Sequence, residues 1–165
     1  MADLKVAEAP DILQTTLGSC IGIAIYEQPP PTPTLLKGGR GEGWRVGGLA
    51  HIMLPVNNNG DPNTAKYADT AITEMVRKMT SRGVSRGSLI AKIAGGAKMF
   101  DTGKKINYLL EIGLRNEEAV RKMLNIEGIK LTAADTGKNY GRNIQFDIAT
   151  GKMTIQSHGR ETVVI

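Results

Sequence analysis

Cysteine is almost missing from this chain of 165 residues: Cys20 is the single one. One thiol cannot close an internal disulfide, and it cannot build a cysteine cage around a metal ion. Aromatic residues make up 4% of the chain, and its basic residues are scattered in pairs such as Arg77-Lys78, Lys104-Lys105 and Arg121-Lys122. Little is therefore available for base stacking, and nucleic-acid binding is not expected. No stretch approaches the ~18 to 20 consecutive apolar residues of a membrane span, so no membrane insertion is expected. The first residues, Met1 to Glu8, lack both a basic start and an apolar run. A secretory leader is not expected there, and a reducing cytoplasmic location follows.

The composition itself is that of a soluble globular domain, with 41% hydrophobic and 22% charged residues. The length predicts one domain spanning 1–165 with a real core. A net charge of +5 and a pI near 9.4 describe a basic solvated surface or a face for an acidic protein partner.

Residues 12–16 and 21–26 read as strands on either side of a Gly18-Ser19-Cys20 turn. In the second, Ile21, Ile23 and Ile25 alternate with Gly22, Ala24 and Tyr26. The small residues on one face predict a closely packed layer against it. A Pro- and Gly-rich surface loop is expected over 27–45, followed by an apolar segment from Val46 to Pro55. Thr64 or Asn63 is expected to cap a helix whose stripe is Ala68, Ile72, Met75, Val76 and Met79, with Gly83 ending it. Leu89 to Ala94 reads as a strand. Asn116-Glu117-Glu118 reads as the cap of a second helix, with Ala119, Val120, Met123 and Leu124 buried and Gly128 closing it. Strands are predicted over 129–133, 143–148, 152–157 and 162–165, with a hairpin turn at Thr150-Gly151. This order predicts an α+β domain, sheet-dominated, with helices gathered on an outer side.

Cysteine chemistry needs a thiolate, whereas a free thiol of pKa ~8.5 is mostly protonated at neutral pH. An imidazole that accepts the proton turns the pair into an activated nucleophile. His51 is the one polar group in the apolar run Gly47 to Pro55, while His158 lies in an expected exposed turn, Ser157-His158-Gly159-Arg160. The structural alternatives are a small buried thiol at Cys20 and a core histidine satisfied by a backbone carbonyl at His51. A glycine turn exposes a thiol, and amides around Gly18, Ser19 and Cys20 can face a developing oxyanion. A third group must hold the imidazole in the useful tautomer, and both Thr15 and Thr16 are placed for it.

Six segments, taken together, resemble the CheD family of chemoreceptor glutamine deamidases. They are 17–20 (Leu-Gly-Ser-Cys), 50–55 (Ala-His-Ile-Met-Leu-Pro), 66–71 (Lys-Tyr-Ala-Asp-Thr-Ala), 92–100 (Lys-Ile-Ala-Gly-Gly-Ala-Lys-Met-Phe), 112–116 (Ile-Gly-Leu-Arg-Asn) and 135–137 (Asp-Thr-Gly). The resemblance implies an α/β sandwich related to the catalytic domains of deamidating toxins, with a cysteine–histidine pair at its centre. It implies a protein-glutamine glutaminase that converts glutamine side chains of chemoreceptors to glutamate and needs no metal or organic cofactor. By the same resemblance Cys20 is the nucleophile, His51 its base, and a threonine shortly before the cysteine the third member. Thr15 is favoured for that role over Thr16, with Gln14 on one alternative alignment. The family also implies binding to CheC-type phosphatases. An acyl transfer to an amine in place of water, a transglutaminase, is the chemical alternative. The 27–45 loop is longer than the family's usual connection.

Overall fold

The computed structural model describes residues 2–28, 45–98 and 107–165. The expected 27–45 loop therefore lies, from 29 to 44, outside the described residues, as do Met99, Phe100 and Lys104-Lys105.

Among the described residues, nine strands and two α-helices follow one another in the order β1 (Leu4–Glu8), β2 (Ile12–Leu17), β3 (Ile21–Glu27), β4 (Val46–Ile52), α1 (Ala68–Ser81), β5 (Leu89–Gly95), α2 (Asn107–Ile126), β6 (Lys130–Thr136), β7 (Arg142–Asp147), β8 (Lys152–Gln156) and β9 (Val163–Val164). One sheet has the order β1-β4-β3-β5-β6 and the other β2-β7-β8-β9. Among the named strands of the described residues only the β5–β6 pair is parallel, because α2 carries the chain back across the sheet between them.

Central β3 explains the layering. Its isoleucines at 21, 23 and 25 join Ala50, Ile52 and Ile93 under Ile72, Met75 and Met79 of α1 and Val120 and Leu124 of α2. The opposite face presents Ala24 and Tyr26 to Leu13, Leu17, Ile144 and Phe146 of the second sheet. The predicted close layer is there, and it is the second sheet: a Cβ on Gly22 would stand 2.6 Å from Ile144 Cδ1 and 2.9 Å from Leu17 Cδ1. The molecule is thus an α+β, sheet-rich sandwich with both helices on the outside of the larger sheet.

Three local expectations are corrected. Leu4–Glu8 forms an edge strand, paired antiparallel with β4, where no strand was predicted; its short sequence has too little alternation to announce itself. Thr64–Lys66 forms a separate 3-10 turn, and α1 starts after Tyr67 with no side-chain cap. Asn116 is not a cap at all. The second helix begins at Asn107, and Asn116 lies fully buried in its middle. The positions of Gly83 and Gly128, both at positive φ after the helix ends, are as predicted.

Candidate active site

The site lies where the two sheets meet, and strand register builds it. Within the larger sheet Gly22 pairs with His51, so the two share a face. Leu49, two residues before His51, packs in the inter-sheet core, and Cys20, two residues before Gly22, packs against the same cluster. Cys20 immediately precedes β3 and packs toward the inter-sheet core, the side of the sheet on which Leu49 and His51 lie. The side chain absent at Gly22 leaves the room between Cys20 and His51 to the second sheet.

That sheet supplies the third group. On β2, Leu13 and Leu17 are buried, and Thr15 lies between them in the same alternation, half-buried. Its Oγ1 is 2.8 Å from His51 Nδ1. Thr16 points the other way and donates from Oγ1 to Asn143 Oδ1 at 2.8 Å on the exposed face, and Gln14 is exposed as well. Of the two threonines, Thr15 is the one within hydrogen-bond distance of His51. The signal was already in Leu13-x-Thr15-x-Leu17, since an apolar phase on both sides marks the inward threonine.

His51 is buried and its Nε2 has no hydrogen-bond partner among the described residues. Burial lowers its pKa, against the opposing charge of Asp3. Burial likewise pushes the Cys20 thiol up, with its own backbone amide opposing the rise. Both shifts favour uncharged forms, so a neutral thiol and a neutral imidazole are the resting state at neutral pH. Thr15, His51, Gln14, Gln145, Asp3 and Lys5 are among the residues lining a cavity of about 630 Å³ between the edges of β1 and β2. Cys20 does not line that cavity.

The turn itself is held from several sides. Gly18 O accepts from Ala97 N at 2.9 Å and Cys20 O from Gly96 N at 2.8 Å. Ser19 O accepts from Asn116 Nδ2 at 3.3 Å, and the same nitrogen donates to Met53 O at 2.9 Å. Gly95 must be glycine here: φ is +112°, and a Cβ would lie 2.2 Å from Cys20 O. Gly18 and Gly22 bracket Cys20 at the spacing of a nucleophile elbow, although this turn joins two strands rather than a strand and a helix.

Arg142, completely buried, clamps the neighbouring loop. It donates to both oxygens of Asp135 at 3.1 Å and to the carbonyls of Gly137 and Tyr140. His158 is exposed, as expected. Asn116 and Arg142 were not anticipated as site supports. Asn116 did carry a signal, because it interrupts the apolar stripe Ile112, Val120 and Leu124 at helical spacing. Among the described residues no cluster of His, Cys, Asp and Glu could hold a metal ion, and no helix is long and apolar enough to cross a membrane.

Residues 53–157 match the family described as CheD, chemotactic sensory transduction. That stretch begins after His51, so the match does not rest on the cysteine or the histidine. Whole-length similarity covers them. A "Probable chemoreceptor glutamine deamidase CheD" of Moorella thermoacetica is 45% identical over 100% of this chain and 92% of its own length. Proteins with the same description from Lachnoclostridium phytofermentans and from Methanococcus vannielii are 42% and 36% identical. These cover 97% and 94% of the chain, and 92% and 91% of the relatives.

Proposed function

The chain belongs to the CheD family, and we propose that it is a chemoreceptor glutamine deamidase in which Cys20, His51 and Thr15 carry the chemistry. Its relatives are described by that activity over nearly their whole length. The observation that best supports the residue roles is the Thr15–His51 contact, which leaves a buried, unpartnered Nε2 on the face of the lone cysteine.

With the proton on Nδ1, His51 donates to Thr15 Oγ1 and keeps a lone pair at Nε2. Substrate arrival brings the thiol proton to Nε2, and the Sγ thiolate attacks the carboxamide carbon of a receptor glutamine. The new C–S bond leaves the former carbonyl oxygen as an oxyanion facing the amides of the turn; losing one such donor costs about 3 kcal/mol of transition-state stabilisation. The imidazolium then protonates the departing nitrogen, the C–N bond breaks, and ammonia leaves behind a thioester. Water, deprotonated by His51, attacks the thioester; glutamate is released and the thiol regains its proton. No step calls for a metal or organic cofactor. Water as the acceptor distinguishes this from a transglutaminase, and product analysis tells the two apart.

This reading includes the family's likeness to deamidating toxin domains, action on the cytoplasmic helices of receptors, and binding of a CheC-type phosphatase. The test is intact-mass analysis and ammonia release with the cytoplasmic fragment of a methyl-accepting chemoreceptor. Wild type is expected to convert glutamine to glutamate, and Cys20→Ala and His51→Ala are expected to abolish conversion. Full activity in Cys20→Ala would refute the mechanism. Capture of a CheC-like protein by Cys20→Ala would support the partner, and no binding at micromolar concentration would count against it.

A further inference from the structure

Asn116 sits where an apolar side chain would serve the fold better. It lies between Ile112 and Val120 on the buried stripe of α2 and is itself 0% exposed, yet its Oδ1 has no hydrogen-bond partner among the described residues. Its orientation is dictated by chemistry: both groups it faces, Ser19 O and Met53 O, are carbonyl oxygens, so the amide nitrogen must point at them. An amide has two N–H donors, and one is available for each carbonyl.

The Ser19 carbonyl belongs to the same peptide unit as the Cys20 N–H. In a trans peptide these two groups point in opposite directions. Fixing the oxygen toward α2 therefore fixes the N–H away from it. Gly18 O and Cys20 O are held by Ala97 N and Gly96 N, so backbone amides anchor the peptide units on both sides, and the middle one is anchored by a side chain. Among the described residues no backbone carbonyl accepts from the Cys20 amide. Gly113, one turn before Asn116, brings α2 against the Gly96 backbone, where a Cβ would lie 2.6 Å from Gly96 O. At that point the helix packs directly on the Gly96 backbone, with no side chain between them.

We propose that Asn116 is a positioning residue for the acyl-transfer step: through the Ser19 carbonyl it aims the Cys20 N–H at the place where the oxyanion forms. This deepens the deamidase reading and rests on it. The alternative is that Asn116 is only a staple between the start of β3 and the end of β4, and the two ideas part on what its loss affects. A staple holds the thiol and the imidazole in place, so its loss slows every reaction of Cys20. An amide-orienting group acts when a tetrahedral oxyanion develops. Alkylation by iodoacetamide is a direct displacement with no such oxyanion, and it reads thiolate formation alone.

The experiment compares wild type with Asn116→Ala, and with Asn116→Leu, which keeps the branched shape without the donors if the alanine variant folds poorly. The expected result is a fall in kcat on the receptor fragment of ~10²-fold, KM unchanged within a factor of about three, and iodoacetamide alkylation of Cys20 within a similar factor of wild type. A folded variant with kcat within about threefold of wild type would overturn the proposal, as would alkylation falling in step with kcat. Wild type provides a measurement that does not depend on the variants folding. A peptide aldehyde in place of the target glutamine adds the Cys20 sulfur to its carbonyl carbon, with the thiol proton or a solvent proton balancing the oxygen. The Cys20 amide proton in the nitrogen-15 spectrum should move downfield on formation of this hemithioacetal. Adduct formation without that shift overturns the proposal. Failure of wild type to deamidate the fragment, with the aldehyde shift present, would instead count against the deamidase reading.

Discussion

Thr15 and His51 come from different sheets and meet at 2.8 Å between Oγ1 and Nδ1. The site therefore exists only when the two sheets are packed, and the contact ties the imidazole's tautomer to the sandwich itself. A threonine differs from the carboxylate of many triads in being neutral. It orients the ring without stabilising imidazolium by charge, which accords with a pair that rests neutral and moves its proton when substrate arrives.

Thr15→Val, nearly equal in volume, should lower kcat by ~10- to 100-fold, in the range a mispositioned general base costs. Thr15→Ser should keep most of the activity. Thr16→Val, which loses only the exposed bond to Asn143, should stay within about twofold of wild type, as surface changes do. Steady-state ammonia release measures all three; equal losses at 15 and 16 would contradict the assignment.

The raised thiol and lowered imidazole pKa values give a distinctive pH profile for Cys20 alkylation. The rate at pH 7 should fall below that of a free cysteine, and its inflection should lie above the ordinary thiol value of ~8.5. A thiolate–imidazolium pair would instead give a rate that is high and flat from about pH 6 to 8. Iodoacetamide kinetics across pH 5 to 10 distinguish the two.

Stability should respond to acid through His51. Its pKa is lower in the folded protein than in the unfolded chain, whose value is ~6.5, so the unfolded chain binds the extra proton first. The contribution is fully present above the unfolded pKa and is lost as pH falls through the folded one. Melting temperature should therefore drop on acidification below about pH 6.5, and more steeply for wild type than for His51→Gln. Parallel melting curves for the two proteins from pH 7.5 to 5 would refute this.

Two glycines should fail differently. Gly22→Ala presses a methyl against the tips of Ile144 and Leu17, which can shift, so a loss of about 1 to 3 kcal/mol is expected with the site still assembled. Gly95→Ala meets the backbone oxygen of Cys20 at positive φ, so the Cys20 turn itself must move. Denaturant melts with activity at equal folded fraction should show residual kcat for Gly22→Ala and near-total loss for Gly95→Ala.

Local physics made much of this protein readable from its residues. The Ile21, Ile23, Ile25 alternation marked β3, the stripe from Ala68 to Met79 marked α1, and the Thr150-Gly151 turn joins β7 to β8 as predicted. A lone cysteine in a glycine turn and a lone histidine in an apolar strand were visible as a possible pair, because rare polar chemistry in an apolar run needs a reason. What stayed hidden depends on contacts between distant segments. Leu4–Glu8 becomes a strand only by pairing with β4, and Asn116 acts through carbonyls 63 and 97 residues away. Hydrophobic periodicity is a property of neighbours along the chain and determines which face is buried. Register and sheet packing decide what that face touches, because they bring together residues far apart in the chain.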